Sequence, residues 1–333
     1  MAMSHTNPWN IDASGYPQNG PWADRLTFLL RYATLAPSSH NTQPWSFRVR
    51  ENAADLFIEE TRWLKVADVD QRELHISIGC TLENLLVAAE HFGLDCETDY
   101  LPDSKNPMLA ATVRIQRRGK ISKERPASLF PMIGIRHTNH GEYESTAIPV
   151  DILDQFQKVC VESGVILYMT SDLEIRQRVD ELVIHADALE FANPAFREEL
   201  GYWIGQGVFG TSWLISKIGK LAVTYVNMGT SQGKKDSSVL MSSPVLGLIS
   251  SDVNDRISQI KVGQVYQRLS LLAASFGIWT QPMSQILQVE ECRNLVADLQ
   301  PNPKLFPQHP FRMGYAPPEK HHTPRRELFE MLK

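Results

Sequence analysis

An internal repeat constrains the fold of this chain more than any other feature of its sequence. The stretch GCTLENLLVAAEHFGL at residues 79–94 aligns without a gap with GQVYQRLSLLAASFGI at residues 263–278. Five positions are identical, and Leu85, Ala89 and Phe92 of the first copy form one stripe of a helix. Each copy ends at a glycine, which takes the left-handed helix cap with little strain. Two helices can resemble each other by chance, but ungapped identities favour two related halves.

The pattern of helices and strands around the repeat predicts an α+β fold, with helices packed on a sheet in each half. We place the N-terminal half at residues 1–130 and the C-terminal half at residues 131–333. In the first half we predict a helix over residues 22–36 and the strands SFRVR, ADLFIEE and AATVRIQR. In the second half we predict helices from about residue 151 and over residues 172–189, with the strands GVILYMT, SSPVLGLISS and PFRMGYA.

One stretch does not fit a compact half. Residues 201–235 are rich in glycine, tryptophan and tyrosine and show weak periodicity. An insertion of this length is typical of a functional cover or a linker. Its apolar content favours a cover that packs on the protein, and the alternative is an additional pair of surface helices.

Composition and charge exclude several classes of protein. The 333 residues are 43% hydrophobic, which indicates a globular chain, and the net charge of −5 argues against nucleic acid as the main partner. No apolar run approaches the length that spans a bilayer, and the polar N-terminus predicts a cytoplasmic protein. The four cysteines lie far apart, so we predict no metal site.

The most informative polar stretch is APSSHNTQPW, which contains Ser38, Ser39, Asn41 and Gln43. Short hydroxyl and amide side chains next to proline are typical of a turn. They also suit the edge of a planar ring, because asparagine and glutamine each present a donor and an acceptor side by side. The residues alone leave both interpretations open.

A second polar stretch, RHTNH at residues 136–140, is compact, cationic and suited to a phosphate, for which arginine offers a forked contact. Its simpler interpretation is a solvated loop. The paired Arg325 and Arg326 indicate little by themselves. The sequence contains no phosphate-binding glycine loop, no G-x-S-x-G nucleophile motif and no H-E-x-x-H zinc motif.

Taken together, these stretches resemble the FMN-dependent nitroreductases. APSSHNTQPWSF is similar to that family's flavin-ring segment, and IRHTNHGEY is similar to its phosphate segment. GIWTQPMSQ at residues 277–285 resembles the turn that approaches flavin N5, and MGYAPPEKHHTPRR resembles the closing strand and terminal arginine. The first half has the ring segment and the second half has the phosphate segment. This division resembles the fused twin nitroreductases of the mycobacterial Acg-type group, in which one chain imitates a dimer.

The resemblance implies a nitroreductase-like fold, a bound FMN and the residues that hold it. Ser38, Ser39, Asn41 and Gln43 would border the ring, and Ser284 would offer its backbone N–H near N5. The full set of implied FMN-binding residues is Ser38, Ser39, Asn41, Gln43, Arg136, His137, Thr138, His140, Pro282, Met283, Ser284 and Arg325, with Arg326 as an alternative to Arg325.

The resemblance also implies a flavoenzyme that passes a hydride from NAD(P)H through FMN to a nitroaromatic, a quinone or a similar acceptor. No catalytic side chain is implied, because the flavin carries the chemistry. The protein would act as a monomeric pseudo-dimer, and further pairing of chains is left open. One alternative is an FMN storage protein, in which residues 201–235 form a lid over the flavin. Another is a structural protein with a relic site.

Overall fold

The computed structural model describes residues 7–116, 124–210, 237–319 and 322–333 of the chain. Its N-terminal half contains a four-stranded antiparallel sheet in the order β1-β2-β4-β3. The strands are β1 (Trp45–Val49), β2 (Ala53–Ile58), β3 (Asp95–Tyr100) and β4 (Leu109–Gln116).

The C-terminal half repeats this sheet. Its strands pair antiparallel in the order β5-β6-β8-β7, which is the same topology, and in both sheets the register shifts once within the central pair. The strands are β5 (Val165–Thr170), β6 (Val245–Ser251), β7 (Ile278–Pro282) and β8 (Phe306–Tyr315). The prediction of an α+β fold built from two similar halves is therefore confirmed.

The helices surround and join the two sheets. They are α1 (Trp22–Ala33), α2 (Arg72–His91), α3 (Leu129–Met132), α4 (Val150–Lys158), α5 (Leu173–Ala192), α6 (Pro194–Gly205), α7 (Arg256–Ser275), α8 (Gln285–Gln288) and α9 (Glu290–Asp298). The predicted division between residues 130 and 131 lies inside α3. None of the helices in the described ranges is long and apolar enough to cross a membrane.

The two copies of the repeat are the helices α2 and α7, which are each 20 residues long and begin and end at equivalent positions of the alignment. Both are buried over most of their length and pack against each other. The glycine after each helix has the left-handed backbone expected of it, with φ of 75° at Gly93 and 71° at Gly277. The repeat thus marks the central helix pair of the molecule.

Some elements differ from the sequence predictions. The strand β3 was not predicted, because its sequence DCETDY is polar and it lies at a sheet edge. The stretch GIWTQP after α7 is mostly the strand β7 rather than a turn. Residues 201–205 of the predicted insertion belong to α6, and residues 211–236 lie outside the described residues.

Candidate functional site

The predicted ring segment has a strained backbone. His40, Asn41 and Gln43 have φ values of 47°, 52° and 52°, a left-handed conformation that is uncommon for residues other than glycine. The segment passes through a single 3₁₀ turn, Ser39–Asn41, and the Ser38 hydroxyl accepts a hydrogen bond from the Gln43 backbone N–H at 2.9 Å. Clustered strain of this kind is typical of binding sites, where surrounding structure holds the unfavourable conformation in place.

The two amides of this segment hold it to the C-terminal half. Asn41 Nδ2 donates to the carbonyls of Val208 at 2.7 Å and Pro324 at 2.9 Å, and Gln43 Oε1 accepts from the Arg326 backbone N–H at 2.8 Å. Both amide hydrogens of Asn41 are thus used by protein carbonyls. Contact of these amides with a flavin ring stays a prediction, and their present partners fix the position of the segment.

Arg136 and Arg325 converge although they are far apart in the sequence. Both donate to the carbonyl of Leu35, at 3.1 Å and 3.3 Å, immediately before the ring segment. Arg325 also donates to Asn41 Oδ1 at 2.8 Å. Arg326 instead forms an ion pair with Glu59 at 2.8 Å. The structure therefore places Arg325, and not Arg326, beside the predicted phosphate segment.

The charges of Arg136 and Arg325 are uncompensated among the described residues. Neither guanidinium forms an ion pair with a described carboxylate, and the buried Nε atom of each has no hydrogen-bond partner there. Burial and the charge of Arg136 hold the pKa of Arg325 well below its usual range. Two buried cations that repel each other form a site that an anion would stabilise.

Aromatic and imidazole rings surround this pair of arginines. Trp9 stacks on His322 with ring centroids 4.0 Å apart, and the Arg325 guanidinium lies over the Trp9 ring at 4.7 Å. His137 packs on Trp279 at 4.0 Å. Burial, followed by the charges of the His137, Arg136 and Arg325 side chains, lowers the pKa of His322 to about 4.

The remaining residues of the predicted phosphate segment lie along strand β7. Thr138 forms an isolated parallel bridge with Thr280, and His140 Nδ1 lies 3.0 Å from Gln281 Nε2. His140 is exposed, whereas Arg136 and His137 are buried. The structure therefore places Arg136 and His137 in the buried group that contains Arg325 and leaves His140 at the surface.

The residues predicted on the N5 side of the flavin, Pro282, Met283 and Ser284, which we call the N5 segment, lie at the end of β7 and directly after it. Pro282 ends that strand, and the Met283 side chain is buried in an apolar cluster with Leu246 and Ile286. The hydroxyl of Ser284 donates to Glu73 Oε2 at 2.9 Å, and the hydroxyl of Ser39 donates to the same oxygen at 2.7 Å. One carboxylate thus joins the ring segment of the first half to the N5 segment of the second.

The sequence analysis missed Glu73 and the charged groups around it. Glu73 is 2% exposed and forms an ion pair of 2.6 Å with Arg72. Its backbone N–H donates to Asp68 at 2.9 Å, and burial followed by the charge of Glu73 raises the pKa of Asp68 to about 8. The available signal was the charged stretch DQRELH at the start of an otherwise apolar helix.

A second group of charged residues lies at a cavity lined by Glu90, Arg125 and Glu162; we call it the second cleft, and the surroundings of Arg136 and Arg325 the first cleft. Arg268 forms ion pairs with Glu83 at 2.7 Å and Glu162 at 2.6 Å, and Arg125 forms ion pairs with Glu83 at 2.8 Å and Glu90 at 2.9 Å. Arg125 follows β4 as Arg325 follows β8. Here carboxylates of the protein neutralise both arginines, whereas Arg136 and Arg325 form no ion pair with a described carboxylate.

The loop before each first strand explains this difference. Before β1, residues 34–44 carry the ring segment, whereas before β5 only residues 159–164 separate α4 from the strand. The shorter loop contains Glu162, which reaches Arg268. The second cleft therefore has the Arg268–Glu162 ion pair where the first cleft has the ring segment.

The chain segment after α6 covers the ring segment of the other half. Besides the hydrogen bond from Asn41 to Val208, the ring of Phe209 lies 6.2 Å from that of His40. Trp203 of α6 is buried with Leu64 of the first half. The described beginning of the predicted insertion thus packs over the strained segment.

Comparison with known proteins supports the resemblance. No protein-family model matches the chain. It is 26% identical to a protein of Mycobacterium tuberculosis named "Putative NAD(P)H nitroreductase", over 94% of this chain and 92% of that protein. The chain is similar to nitroreductases along nearly its whole length. The M. tuberculosis "Putative NAD(P)H nitroreductase acg" is 24% identical, over 93% of this chain and 95% of its own length.

Further relatives include the "Probable NAD(P)H nitroreductase PigM" of a Serratia species, 24% identical over 84% of this chain and 85% of that protein. Among solved structures, the FMN-dependent nitroreductase NfnB from Mycobacterium smegmatis in complex with NADPH is 14% identical. It covers 62% of this chain and 97% of its own, with a TM-score of 0.42. The predicted resemblance is confirmed by the full-length relatives rather than by this partial superposition.

Proposed function

We propose that the protein binds one FMN per chain and passes a hydride from NAD(P)H through the flavin to a nitroaromatic, a quinone or a similar acceptor. The observation that carries the proposal is a pair of buried arginines that no described carboxylate compensates, beside a strained polar segment from the other half of the chain. The names of the full-length relatives point to the same chemistry.

The described residues fit a flavin mononucleotide in their donor chemistry. Arg136 and Arg325 would hold the phosphate, because the buried Nε atom of each has no hydrogen-bond acceptor among the described residues. Ser38 and Ser39 would border the ring, and Ser284 would stand on its N5 side. The other proposed FMN-binding residues are Asn41, Gln43, His137, Thr138, His140, Pro282 and Met283.

When bound, FMN supplies hydride chemistry, so the protein's task is binding, orientation and electrostatics. Arg136 and Arg325 would hold the phosphate end of the cofactor by charge-assisted hydrogen bonds. The hydrogen bonds of Asn41 and Gln43 keep the ring segment in its strained shape before any ligand arrives. Such preorganisation removes an ordering cost from binding.

The stoichiometry follows from the difference between the two clefts. A phosphate in the second cleft would compete with Glu83, Glu90 and Glu162, which already neutralise its arginines. The first cleft offers two arginines, Arg136 and Arg325, that no described carboxylate neutralises. The proposed division of the chain near residue 130 would give each half one part of the single site.

FMN storage is a second candidate function, and the contact of Val208 and Phe209 with the ring segment favours it. A cover that stays closed would exclude both nicotinamide and acceptor from the ring. Residues 211–236, which contain most of the predicted lid, lie outside the described residues.

One experiment tests the proposal and separates the two candidates. The purified protein should carry a flavin spectrum, and NAD(P)H added without oxygen should bleach it within seconds if the protein is a reductase. A yellow protein that does not bleach would support storage. A protein that neither carries nor takes up FMN would refute both.

A further inference from the structure

Glu73 is a buried carboxylate at the junction of the two halves. Ser39 and Ser284 donate to its Oε2 at 2.7 Å and 2.9 Å from opposite ends of the sequence. Arg72 pairs with the other oxygen at 2.6 Å. Among the described residues, Glu73 is the one whose side chain accepts hydrogen bonds from both the ring segment and the N5 segment.

We infer that Glu73 is a positioning residue that holds Ser39 and Ser284 on either side of the flavin and makes the bound cofactor harder to reduce. The inference rests on the proposed FMN site. It adds to that site a group that neither the motifs nor the relatives assign.

The two serine hydrogen bonds to Glu73 constrain the geometry of the site. A hydroxyl that donates to a buried carboxylate has its proton fixed, so its oxygen lone pairs are left facing away from that carboxylate. Because both serines share one oxygen, a shift of either segment would strain the contact of the other. Glu73 therefore sets the distance between the two segments that would enclose the ring.

Glu73 also brings a buried negative charge to the site. Burial alone would raise the pKa of Glu73, but the charge of Arg72, with contributions from His309 and the two serine hydrogen bonds, lowers it below its usual range. Glu73 is therefore negative at neutral pH. A flavin gains negative charge when it is reduced, and a nearby carboxylate opposes that gain.

The neighbourhood of Glu73 offers little other compensation. His309 faces Glu73 and Arg72, is 3% exposed, and neither of its ring nitrogens has a hydrogen-bond partner among the described residues. Burial lowers the pKa of His309 to about 4, so at neutral pH it adds no positive charge. Asp68, the other carboxyl group beside Glu73, accepts backbone N–H bonds from Glu73 and Leu74 at 2.9 Å each, and burial followed by the charge of Glu73 raises its pKa to about 8.

The pseudo-symmetric position supports a role tied to the first cleft. The residue of α7 that aligns with Glu73 is Ile257, and the residue that aligns with Ser284 is Tyr100, which donates to Gln264 at 2.7 Å. A buried carboxylate at this position is thus present only in the half whose cleft has the ring segment. A purely structural requirement of the helix pair would apply to both copies.

The test is the reduction potential of bound FMN in the full chain and in Glu73→Gln. The substitution removes the negative charge and leaves Arg72 buried beside the site, so the potential should become more positive. We expect reduced FMN to gain at least about tenfold in affinity relative to oxidised FMN, which is about 30 mV for a two-electron couple.

Glu83→Gln is the matched control. Glu83 is also a buried glutamate of α2 paired with arginine, but it faces the second cleft. The Glu83→Gln substitution should destabilise the fold and leave the reduction potential of bound FMN unchanged. Equal potentials in wild type and Glu73→Gln would overturn the inference while the proposed function stands, and a wild type that takes up no FMN would overturn the proposed function itself.

Milder variants keep the inference testable if Glu73→Gln does not fold. Ser39→Ala and Ser284→Ala each remove one donor and retain the charge. Each should weaken FMN binding, and the double variant should lose less than the sum of the two, because both act through one oxygen. Fully additive losses would show that Glu73 does not couple the segments.

Discussion

Gly79 and Gly263 lie in contact where the two repeat helices cross. A Cβ atom placed on either glycine would lie 2.9 Å from the Cα of the other. The Cβ on Gly79 would also lie 1.9 Å from the Ile260 carbonyl oxygen, and the Cβ on Gly263 would lie 2.0 Å from the Ile76 carbonyl oxygen. The first identity of the sequence repeat is thus a point at which the two helices meet with backbone against backbone.

Gly79→Ala should strongly destabilise the fold. The obstructing atoms are backbone, which cannot rotate away, so the cost should reach or exceed the upper end of the range for overpacking, about 1–3 kcal/mol. Urea unfolding of the apoprotein measures the loss. Gly134→Ala is the control, because a Cβ there meets nothing within 4 Å, and it should be close to neutral. Similar stabilities of the two variants would mean that the helices do not cross at Gly79.

The relation of Gly79 to Gly263 also shows what the sequence could predict. The repeat identified the two helices, and strands rich in aliphatic residues such as β6 were recognised because buried strands have a simple composition. The edge strand β3 was missed because its sequence DCETDY is acidic and at most half-buried, so that only Cys96 and Tyr100 mark the face that packs on the core.

The candidate site was predictable only in part, for a different physical reason. The ring and phosphate segments form recognisable local motifs. The Glu73–Ser284 contact joins residues 211 positions apart, and the Trp9–Thr323 contact joins residues 314 apart. Such contacts depend on how the halves pack, which no local pattern encodes. For this reason the contacts of Glu73 with Ser39 and Ser284 could not be predicted from the sequence.

Glu83→Gln should cost about 3–5 kcal/mol near neutral pH, because it leaves Arg125 and Arg268 buried with less compensation. Burial alone would raise the pKa of Glu83, but the two arginines outweigh it and lower the pKa to about 2. The unfolded value is near 4.3. The stabilisation is therefore fully present above about pH 4.3 and is lost as pH falls towards 2.

The measurement for Glu83 is the free energy of unfolding between pH 2 and pH 7. Wild type should lose stability through the acid window more steeply than Glu83→Gln, so the two curves should converge at low pH. Glu97→Gln, at an exposed site, serves as the control and should follow wild type closely. Parallel curves for Glu83→Gln and wild type would mean that Glu83 is not the titrating group.

FMN should bind at one molecule per chain. The second cleft retains a cavity of about 310 Å³, but its arginines are paired with Glu83, Glu90 and Glu162. Denaturing the purified protein and measuring released flavin against protein concentration gives the ratio. A ratio near two, or release of FAD in place of FMN, would contradict the single-site arrangement.

Arg136→Ala should weaken FMN binding about tenfold to a hundredfold, since a charge-assisted contact contributes roughly 1.5–3 kcal/mol. The stability of the apoprotein should change less, because removal of Arg136 also relieves its repulsion of Arg325. Arg48→Ala is the control. Arg48 is half exposed on β1, where it pairs with Asp55. Equal losses of FMN affinity in both variants would show that the phosphate lies elsewhere.

Trp9→Ala should accelerate the release of FMN. Trp9 lies against both His322 and the guanidinium of Arg325, and its indole N–H donates to the Thr323 carbonyl at 2.9 Å. It therefore covers an arginine that would hold the phosphate. A desolvated cation–π contact contributes about 1–2 kcal/mol, which corresponds to roughly a fivefold to thirtyfold faster release. Stopped-flow fluorescence of freed flavin measures the rate.

Trp22→Ala is a close control. Trp22 also lies under an arginine, with Arg25 4.4 Å from its ring, but it belongs to α1 and has no contact with Arg136 or Arg325 among the described residues. It should leave the rate unchanged. If both tryptophan variants release FMN at the wild-type rate, Trp9 does not close the phosphate end of the site.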